Sequence, residues 1–252
     1  MSEMKRPGGK LASRPLHFFW IVDCSGSMYG EKIATVNYAI KQVLPEMRSA
    51  ADNNPNAQLM VRALKFSTGA SWLTSAPVDI EDYAWDDLEA GGVTDLGEAY
   101  DLLAAQLTVD QLGERALPPV LVLLSDGQPT DDYKNSLDKI KKLPWGKKAV
   151  KIAISIGQDA DDEILTEFTG NRELVLQANN AEMLVKMIKW ASTAVSVVSA
   201  PASISSGDIN NQDENDVPVS NPVVVDMVDT IPDIDGDDVW LGVGVDERNL
   251  FW

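Results

Sequence analysis

Three continuous apolar segments constrain the fold of this chain more than any other feature. They are residues 16–22 (LHFFWIV), 119–124 (PVLVLL) and 150–156 (VKIAISI). Each segment has the length of a strand, and its apolar residues follow one another instead of alternating with polar ones, which indicates burial on both faces. Strands of this kind are typical of a parallel sheet that helices cover on both sides.

Further strands and helices alternate with these three segments. Residues 57–66 (AQLMVRALKF) predict a fourth strand, residues 70–75 (ASWLTS) predict a short antiparallel partner for it, and residues 172–178 (RELVLQA) predict an edge strand. Apolar residues at helical spacing predict helices over residues 33–47, 96–107, 133–143, 161–168 and 184–198.

Two residues are expected to shape the first and last of these helices. Pro45 predicts a kink or an early end in the first helix, and Asn180 is expected to cap the last one. The alternation as a whole predicts an α/β fold. The predicted fold is a doubly wound, Rossmann-like three-layer sandwich with a mostly parallel central sheet, one antiparallel edge strand and helices on both faces.

The composition limits the partners and the setting of the chain. The net charge is −18, so a nucleic acid, itself a polyanion, would be repelled, and we expect no nucleic-acid partner. No segment is long and apolar enough for a transmembrane helix, and the N-terminus lacks the apolar stretch of a secretory signal. Since Cys24 is the only cysteine, no internal disulfide is possible, and we expect a reducing, cytoplasmic location without membrane contact.

Changes in composition divide the chain into four regions. Residues 1–14 form a polar N-terminal extension, and residues 15–199 form the α/β domain. Residues 200–222 are rich in Ser, Asn, Asp and Pro, which predicts a linker. Residues 223–252 mix acidic with apolar residues, which favours a segment that docks onto its own domain or a partner, with an unstructured tail as the alternative.

Two aspartates follow the most buried of the predicted strands. Asp23 ends the first strand, and Asp126 comes just after the strand PVLVLL. Because ligands of an open α/β sheet bind at the carboxyl ends of its strands, we expect the two carboxylates to converge in one crevice. A carboxylate in so poorly solvated a place is costly unless it is paired, hydrogen-bonded or bound to a metal. No nearby Lys or Arg in the sequence offers itself as a partner, so a bound cation is the expected solution.

Three hydroxyl groups are expected beside these carboxylates. Ser25 and Ser27 follow Asp23 at alternate positions of an extended loop, so we expect their side chains to lie side by side. Thr94 lies in a glycine-rich loop ahead of a helix, where it either joins the same crevice or only caps that helix. Hydroxyl and carboxylate oxygens are hard ligands that suit Mg²⁺, Mn²⁺ or Ca²⁺ rather than zinc. The sequence therefore predicts a divalent-metal site, with Mg²⁺ favoured, that comprises Asp23, Ser25, Ser27, Thr94 and Asp126.

These five residues resemble the complete metal-ion-dependent adhesion site of von Willebrand factor A domains. That family's pattern is Asp-x-Ser-x-Ser after the first strand, a threonine in a second loop, and an aspartate before a glycine after a central strand. The resemblance covers roughly residues 15–199. The stretches IVDCSGSM and LLSDGQPTDD further resemble the bacterial tellurite-resistance-associated TerY-like branch.

The resemblance implies a non-enzymatic module for metal-dependent protein recognition. In the family the direct ligands are hydroxyls with the aspartates largely behind them, so one coordination position is left for an Asp or Glu of a partner. The TerY-like resemblance implies an adaptor in a stress-response or tellurite-resistance system with kinase or phosphatase partners, and other bacterial relatives imply an AAA+ ATPase partner.

An alternative is a self-assembling or autoinhibited scaffold, in which residues 223–252 supply the acidic ligand in cis or to a neighbouring copy. The candidate ligands in that segment are Asp226, Asp229, Asp233, Asp235, Asp237 and Asp238. The segment is strongly acidic, since 12 acidic residues and one basic residue follow position 204.

Enzymatic alternatives fit the sequence less well. A phosphatase of the haloacid-dehalogenase type needs an acid two residues after its first aspartate, where this chain has Ser25. A serine hydrolase needs a base beside its nucleophile, but the only histidine, His17, lies at the start of a buried strand. No GxSxG or GxxxxGK[ST] motif is present, and Cys24 is expected to be a small buried side chain directed away from the metal residues.

Overall fold

Seven strands form one sheet in the computed structural model, which describes residues 13–54, 57–158 and 160–199, with side chains up to residue 192. In chain order the strands are β1 (Arg14–Asp23), β2 (Ala57–Ser67), β3 (Gly69–Trp72), β4 (Val78–Asp79), β5 (Val120–Ser125), β6 (Val150–Ile156) and β7 (Val175–Ala178). Their order across the sheet is β3-β2-β1-β5-β6-β7, and β4 also pairs with β2.

The sheet is mostly parallel, as predicted. Each neighbouring pair from β2 through β1, β5 and β6 to β7 is parallel. The short segments β3 and β4 both run antiparallel to β2 at one edge of the sheet. The strand β3 is the predicted hairpin partner, whereas β4 has only two residues, too few for a pattern to separate it from a loop.

Helices cover both faces of the sheet, which confirms the three-layer arrangement. They are α1 (Glu31–Asp52), α2 (Leu96–Gln106), α3 (Val109–Leu112), α4 (Tyr133–Lys142), α5 (Pro144–Lys148), α6 (Asp162–Thr169) and α7 (Ala181–Ser199). Phe18 and Trp20 of β1 pack in the core layer that contains α1 and α7, whereas Phe19 and Ile21 pack in the layer that contains α2 and α4. All four side chains are fully buried, so the segment LHFFWIV has no polar face.

The first and last long helices test the predictions for Pro45 and Asn180. Helix α1 continues through Pro45 to Asp52, so the predicted early end is wrong. Proline removes one backbone hydrogen bond, but Leu44 and Met47 keep the buried stripe of α1 in the core across that position. At the other end of the domain, Asn180 caps α7 as predicted, because its Oδ1 accepts the Met183 N–H at 2.9 Å.

Several predicted regions lie outside the described residues. These are residues 1–12 of the N-terminal extension, the linker (200–222) and the acidic tail (223–252). Among the helices that the structure describes, none has the length and apolarity that crossing a bilayer requires.

Candidate metal site

Asp23 and Asp126 lie at the same edge of two adjacent strands. Asp23 is the last residue of β1, and Asp126 directly follows β5, whose Leu124 is in register with Val22 of β1. Both aspartates are fully buried. The parallel pairing of β1 and β5 therefore brings together two carboxylates that are about a hundred residues apart in sequence.

Asp23 uses both of its carboxylate oxygens within the protein. Its Oδ1 accepts the Ser25 backbone N–H at 2.8 Å, and its Oδ2 accepts the Ser125 hydroxyl at 2.6 Å. The Ser125 Oγ in turn accepts the Gly127 N–H at 2.9 Å. Burial raises the pKa of Asp23, the hydrogen bonds from Ser125 and Ser25 oppose that rise, and the charge of Asp126 adds to it. Asp23 thus holds the loops after β1 and β5 together.

Asp126 has a different environment, because neither of its buried carboxylate oxygens has a hydrogen-bond partner among the described residues. It forms an ion pair with Lys32, whose Nζ lies 3.6 Å from Oδ2. The prediction that no Lys or Arg is available to either aspartate is therefore wrong. Lys32 is nine residues beyond Asp23, and the first turn of α1 carries it next to the end of β5.

The Ser25 and Ser27 hydroxyls lie beside each other, with 3.0 Å between the two Oγ atoms. Ser25 is buried and Ser27 is exposed. The loop that carries them is not extended throughout as expected, because residues Gly26–Met28 form one turn of 3₁₀ helix. The pair therefore spans the border between the protein interior and solvent.

Thr94 is buried in the second loop, and backbone hydrogen bonds join this loop to the other two. The Gly26 N–H donates to the Gly92 carbonyl at 3.1 Å, which fixes the second loop to the first. The Thr94 N–H donates to the Thr130 Oγ1 at 3.1 Å, and the Thr130 N–H donates to the Thr94 carbonyl at 2.9 Å. Helix α2 begins at Leu96 with Asp95 in the N-cap position, so Thr94 is not the helix cap.

Three polar residues that the sequence analysis did not single out support these loops. Ser125 bonds to Asp23, Asp95 accepts the Gly69 N–H, and Asp131 accepts the Gly97 and Glu98 N–H groups at the start of α2. The sequence QPTDD places the acidic Asp131 in the loop after β5, where a polar contact is expected. The N–H groups that it accepts, those of Gly97 and Glu98, belong to a distant segment, so the sequence does not identify them. These bonds keep the three loops in one arrangement.

The candidate metal ligands at this site are all oxygen atoms. No group of three or more His, Cys, Asp or Glu side chains that could hold a metal occurs among the described residues. The candidate ligands are instead two carboxylates and the hydroxyls of Ser25, Ser27 and Thr94, which suit a hard divalent cation. The two partnerless oxygens of Asp126 fit such an ion, because a buried carboxylate without hydrogen bonds needs a compensating positive charge.

Cys24 and His17 do not supply nucleophilic or base chemistry at this site. The Cys24 thiol is buried and lies 3.8 Å from the Val22 carbonyl, and burial raises its pKa to about 12. His17 lies near the start of β1, six residues before Asp23 at the other end of the strand. Burial lowers the pKa of His17 to about 4. A thiolate or a catalytic imidazole is therefore not available beside the serines.

We expect His17 to make the protein less stable as the pH falls from about 6.5 to about 4. The unfolded chain takes up the proton first, because burial lowers the pKa only in the folded state. The free energy of unfolding contributed by His17 therefore falls by up to roughly 3 kcal/mol across this interval. Urea unfolding of the wild type and His17→Gln near pH 7 and near pH 4.5 measures the effect. The wild type should lose more stability than the variant, and equal losses would contradict the prediction.

Comparison with protein families identifies a match over most of the described residues. A family model described as von Willebrand factor type A domain matches residues 19–190, which include all five candidate site residues. Comparison with curated proteins gave no match.

Solved structures share the fold at low sequence identity. An open conformation of the pilus adhesin SpaC from Lactobacillus rhamnosus GG is 13% identical with a TM-score of 0.59, over 75% of this chain and 31% of the adhesin. Proximal thread matrix protein 1 from the mussel byssus, with a zinc-occupied MIDAS motif, is 19% identical with a TM-score of 0.53, over 71% and 48%. Manganese-loaded Plasmodium vivax TRAP protein is 19% identical with a TM-score of 0.51, over 71% and 74%. The match thus spans less than half the length of the first two proteins.

Proposed function

Because the chain belongs to the von Willebrand factor type A domain family, we propose that it is a metal-dependent protein-interaction module. In this proposal the hydroxyls of Ser25, Ser27 and Thr94, with Asp23 and Asp126, hold one divalent cation. An Asp or Glu side chain of a partner protein completes the coordination of that cation. The observation that carries the proposal is Asp126, a fully buried carboxylate whose two oxygens have no hydrogen-bond partner among the described residues.

The charges of the site explain why a partner's carboxylate is the expected ligand. Hydroxyl ligands are neutral, and Asp23 already accepts two hydrogen bonds from the protein. Asp23 therefore serves mainly to orient the loop that carries Ser25, and Asp126 provides most of the remaining negative charge. A divalent cation in this setting keeps a net affinity for anions, and carboxylates are favoured ligands of hard cations.

Mg²⁺ is the ion that we propose, with Mn²⁺ or Ca²⁺ able to replace it. Serine and threonine hydroxyls and carboxylates are hard oxygen donors, and Mg²⁺ is commonly bound through a few protein oxygens while it keeps several waters. The bound ion supplies one function, a positive charge that attracts and orients the partner's carboxylate. The chain's own residues fix where that charge lies and exclude bulk water from Asp23 and Asp126.

We propose a non-enzymatic adaptor role in the cytoplasm. Neither the buried Cys24 thiol nor His17, near the opposite end of β1 from Asp23, is placed to assist a reaction at the site. The TerY-like resemblance of IVDCSGSM and LLSDGQPTDD supports a bacterial stress-response or tellurite-resistance system, with a kinase or phosphatase as the first partners to test and an AAA+ ATPase as the next.

Capture of partners by the full chain in Mg²⁺ and in EDTA tests the proposal. We expect a bound protein that EDTA releases and that Ser25→Ala binds at least about tenfold less tightly, because one ligand oxygen is lost while the charges stay. Ser192→Ala is the matched control, since it removes a buried hydroxyl in α7 that donates a hydrogen bond to the Lys189 carbonyl of the same helix. A partner retained in EDTA and by Ser25→Ala would contradict the proposal.

The same experiment tests whether the acidic tail competes for the metal. In the full chain, the six tail aspartates named above are replaced by asparagine. Stronger capture of the partner would support autoinhibition by the tail, and unchanged capture would assign the tail no part in metal-dependent binding.

A further inference from the structure

Lys32 and a divalent cation would use the same carboxylate. The Lys32 Nζ lies 3.6 Å from Asp126 Oδ2, and the lysine side chain is 26% exposed whereas the aspartate side chain is fully buried. No described residue donates a hydrogen bond to the Asp126 carboxylate, and among the described residues the Lys32 ammonium group supplies positive charge next to it. Lys32 thereby fulfils, in part, the electrostatic role that the proposed function gives to the metal.

A metal ion at this site would repel the ammonium group. Two like charges beside one buried carboxylate interact strongly, because the surroundings of Asp126 screen them less than bulk water does. By the same repulsion, the Lys32 ammonium group lowers the affinity of the site for the metal when it lies close to Asp126. Occupation of the site by the metal and the close pairing of Lys32 with Asp126 are therefore expected to oppose each other.

A cavity next to the site provides space for a displaced lysine side chain. Its volume is about 220 Å³, and it lies between the start of α1 and the segment that joins β7 to α7. Lys32 itself lines this cavity together with Glu31, Thr35, Asn179 and Asn180. These residues present a carboxylate, a hydroxyl and amide groups, all of which can accept hydrogen bonds from an ammonium group. Lys32 can thus leave Asp126 without being transferred into an apolar environment.

We propose that Lys32 is a built-in competitor of the divalent metal for Asp126 and that it lowers the metal affinity of the domain before a partner binds. The proposal rests on the proposed function, because it requires a divalent metal at this site. Its consequence is a domain that holds its metal weakly alone and more tightly once the partner's carboxylate adds negative charge. Lys32 affects the metal through Asp126 and is not itself a metal ligand.

Metal titration of the full-length Lys32→Met variant tests the inference directly, with Mg²⁺ and Mn²⁺ as probes in the absence of any partner. We expect the dissociation constant of each metal to fall about three- to tenfold relative to the wild type, because the competing charge is gone. The matched control is Lys41→Met in the same helix, whose lysine pairs with Asp87 on the surface away from the site. The control should leave the metal affinity unchanged. Unchanged or weaker metal binding by Lys32→Met would overturn the inference.

Two further measurements separate charge from structure. Lys32→Arg keeps the positive charge, so its metal affinity should stay close to that of the wild type; a gain equal to that of Lys32→Met would overturn the inference. Thermal unfolding should show that Lys32→Met has a lower midpoint than the wild type without metal and a larger rise when Mg²⁺ is added. If Lys32→Met does not fold, Lys32→Gln, which keeps a polar side chain, takes its place in the titration.

The outcome for the wild type distinguishes the two proposals. If the wild type binds neither Mg²⁺ nor Mn²⁺, the proposed function fails and the inference fails with it. If the wild type binds metal and the Lys32 variants bind it no more tightly, the inference alone fails.

Discussion

Asp126→Asn is expected to stabilise the protein in EDTA and to abolish its stabilisation by divalent cations. The wild-type carboxylate is fully buried without hydrogen bonds from described residues, and an ion pair with the partly exposed Lys32 offsets part of its charge. Asparagine has the same shape and no charge. We therefore expect the free energy of unfolding without metal to rise by about 1–3 kcal/mol, because burying a carboxylate without hydrogen bonds costs more than burying a neutral amide, and Lys32 keeps contact with solvent. The affinity for Mg²⁺ should fall at least about a hundredfold, which corresponds to roughly 2.7 kcal/mol.

Urea unfolding in EDTA and in saturating Mg²⁺ measures both effects in one experiment. Asp101→Asn serves as the matched control, because Asp101 is a half-exposed carboxylate in α2 that pairs with Lys139. This control should change the stability by no more than about 0.5 kcal/mol and should keep the full response to Mg²⁺. The prediction would be contradicted if Asp126→Asn were less stable than the wild type in EDTA and still responded to Mg²⁺.

Gly127→Ala is expected to destabilise the protein by roughly 3 kcal/mol or more and to impair metal binding. Gly127 has a φ of +70°, a conformation that is strained for alanine. In addition, an alanine Cβ would lie 2.6 Å from the Asp161 carbonyl oxygen, which is backbone and cannot rotate away. The Asp161 N–H donates to the Asp126 carbonyl at 2.8 Å, so separating these segments also moves the aspartate of the site.

Gly170→Ala separates the clash from the backbone strain. Gly170 has a similar φ of +75°, but nothing lies within 4 Å of an added Cβ there. We expect this control to cost about 1 kcal/mol, the penalty for the left-handed conformation alone, and to leave Mg²⁺ binding intact. Thermal unfolding with and without Mg²⁺ measures both variants. Similar losses of stability in the two, or a normal Mg²⁺ response of Gly127→Ala, would argue against the close contact with Asp161.

The sequence is sufficient to predict the strands that carry the candidate site. Buried strands with continuous apolar residues are recognisable without a structure, and β1 and β5 are of this kind. Asp23 and Asp126 follow their ends, so their placement at one edge depends only on the strands being parallel. The pairing of Ser25 with Ser27 is also local, since the two residues are two positions apart along the chain.

The electrostatic partners of the two aspartates could not be predicted from the sequence, because they are set by contacts that form only in the folded domain. The ion pair between Lys32 and Asp126 joins residues that are distant in sequence, and it depends on how the first turn of α1 sits against the end of β5. The bond from Ser125 to Asp23 likewise requires the register of two strands. A pattern read along the chain detects periodicity and spacing, but it contains no information on which distant side chain fills a given space.

The dependence of the site on three distant loops has a consequence for protein synthesis. The loop after β1 bonds to the loop around Gly92, and Thr94 bonds to Thr130 in the loop after β5. A nascent chain that has left the ribosome only as far as β2 therefore has Asp23, Ser25 and Ser27 but lacks the two loops that would hold them in position. Domains generally fold as units during synthesis, so we expect the candidate site to form in one late step rather than gradually. The order of the strands in the chain thus leaves a half-made domain without the complete candidate site.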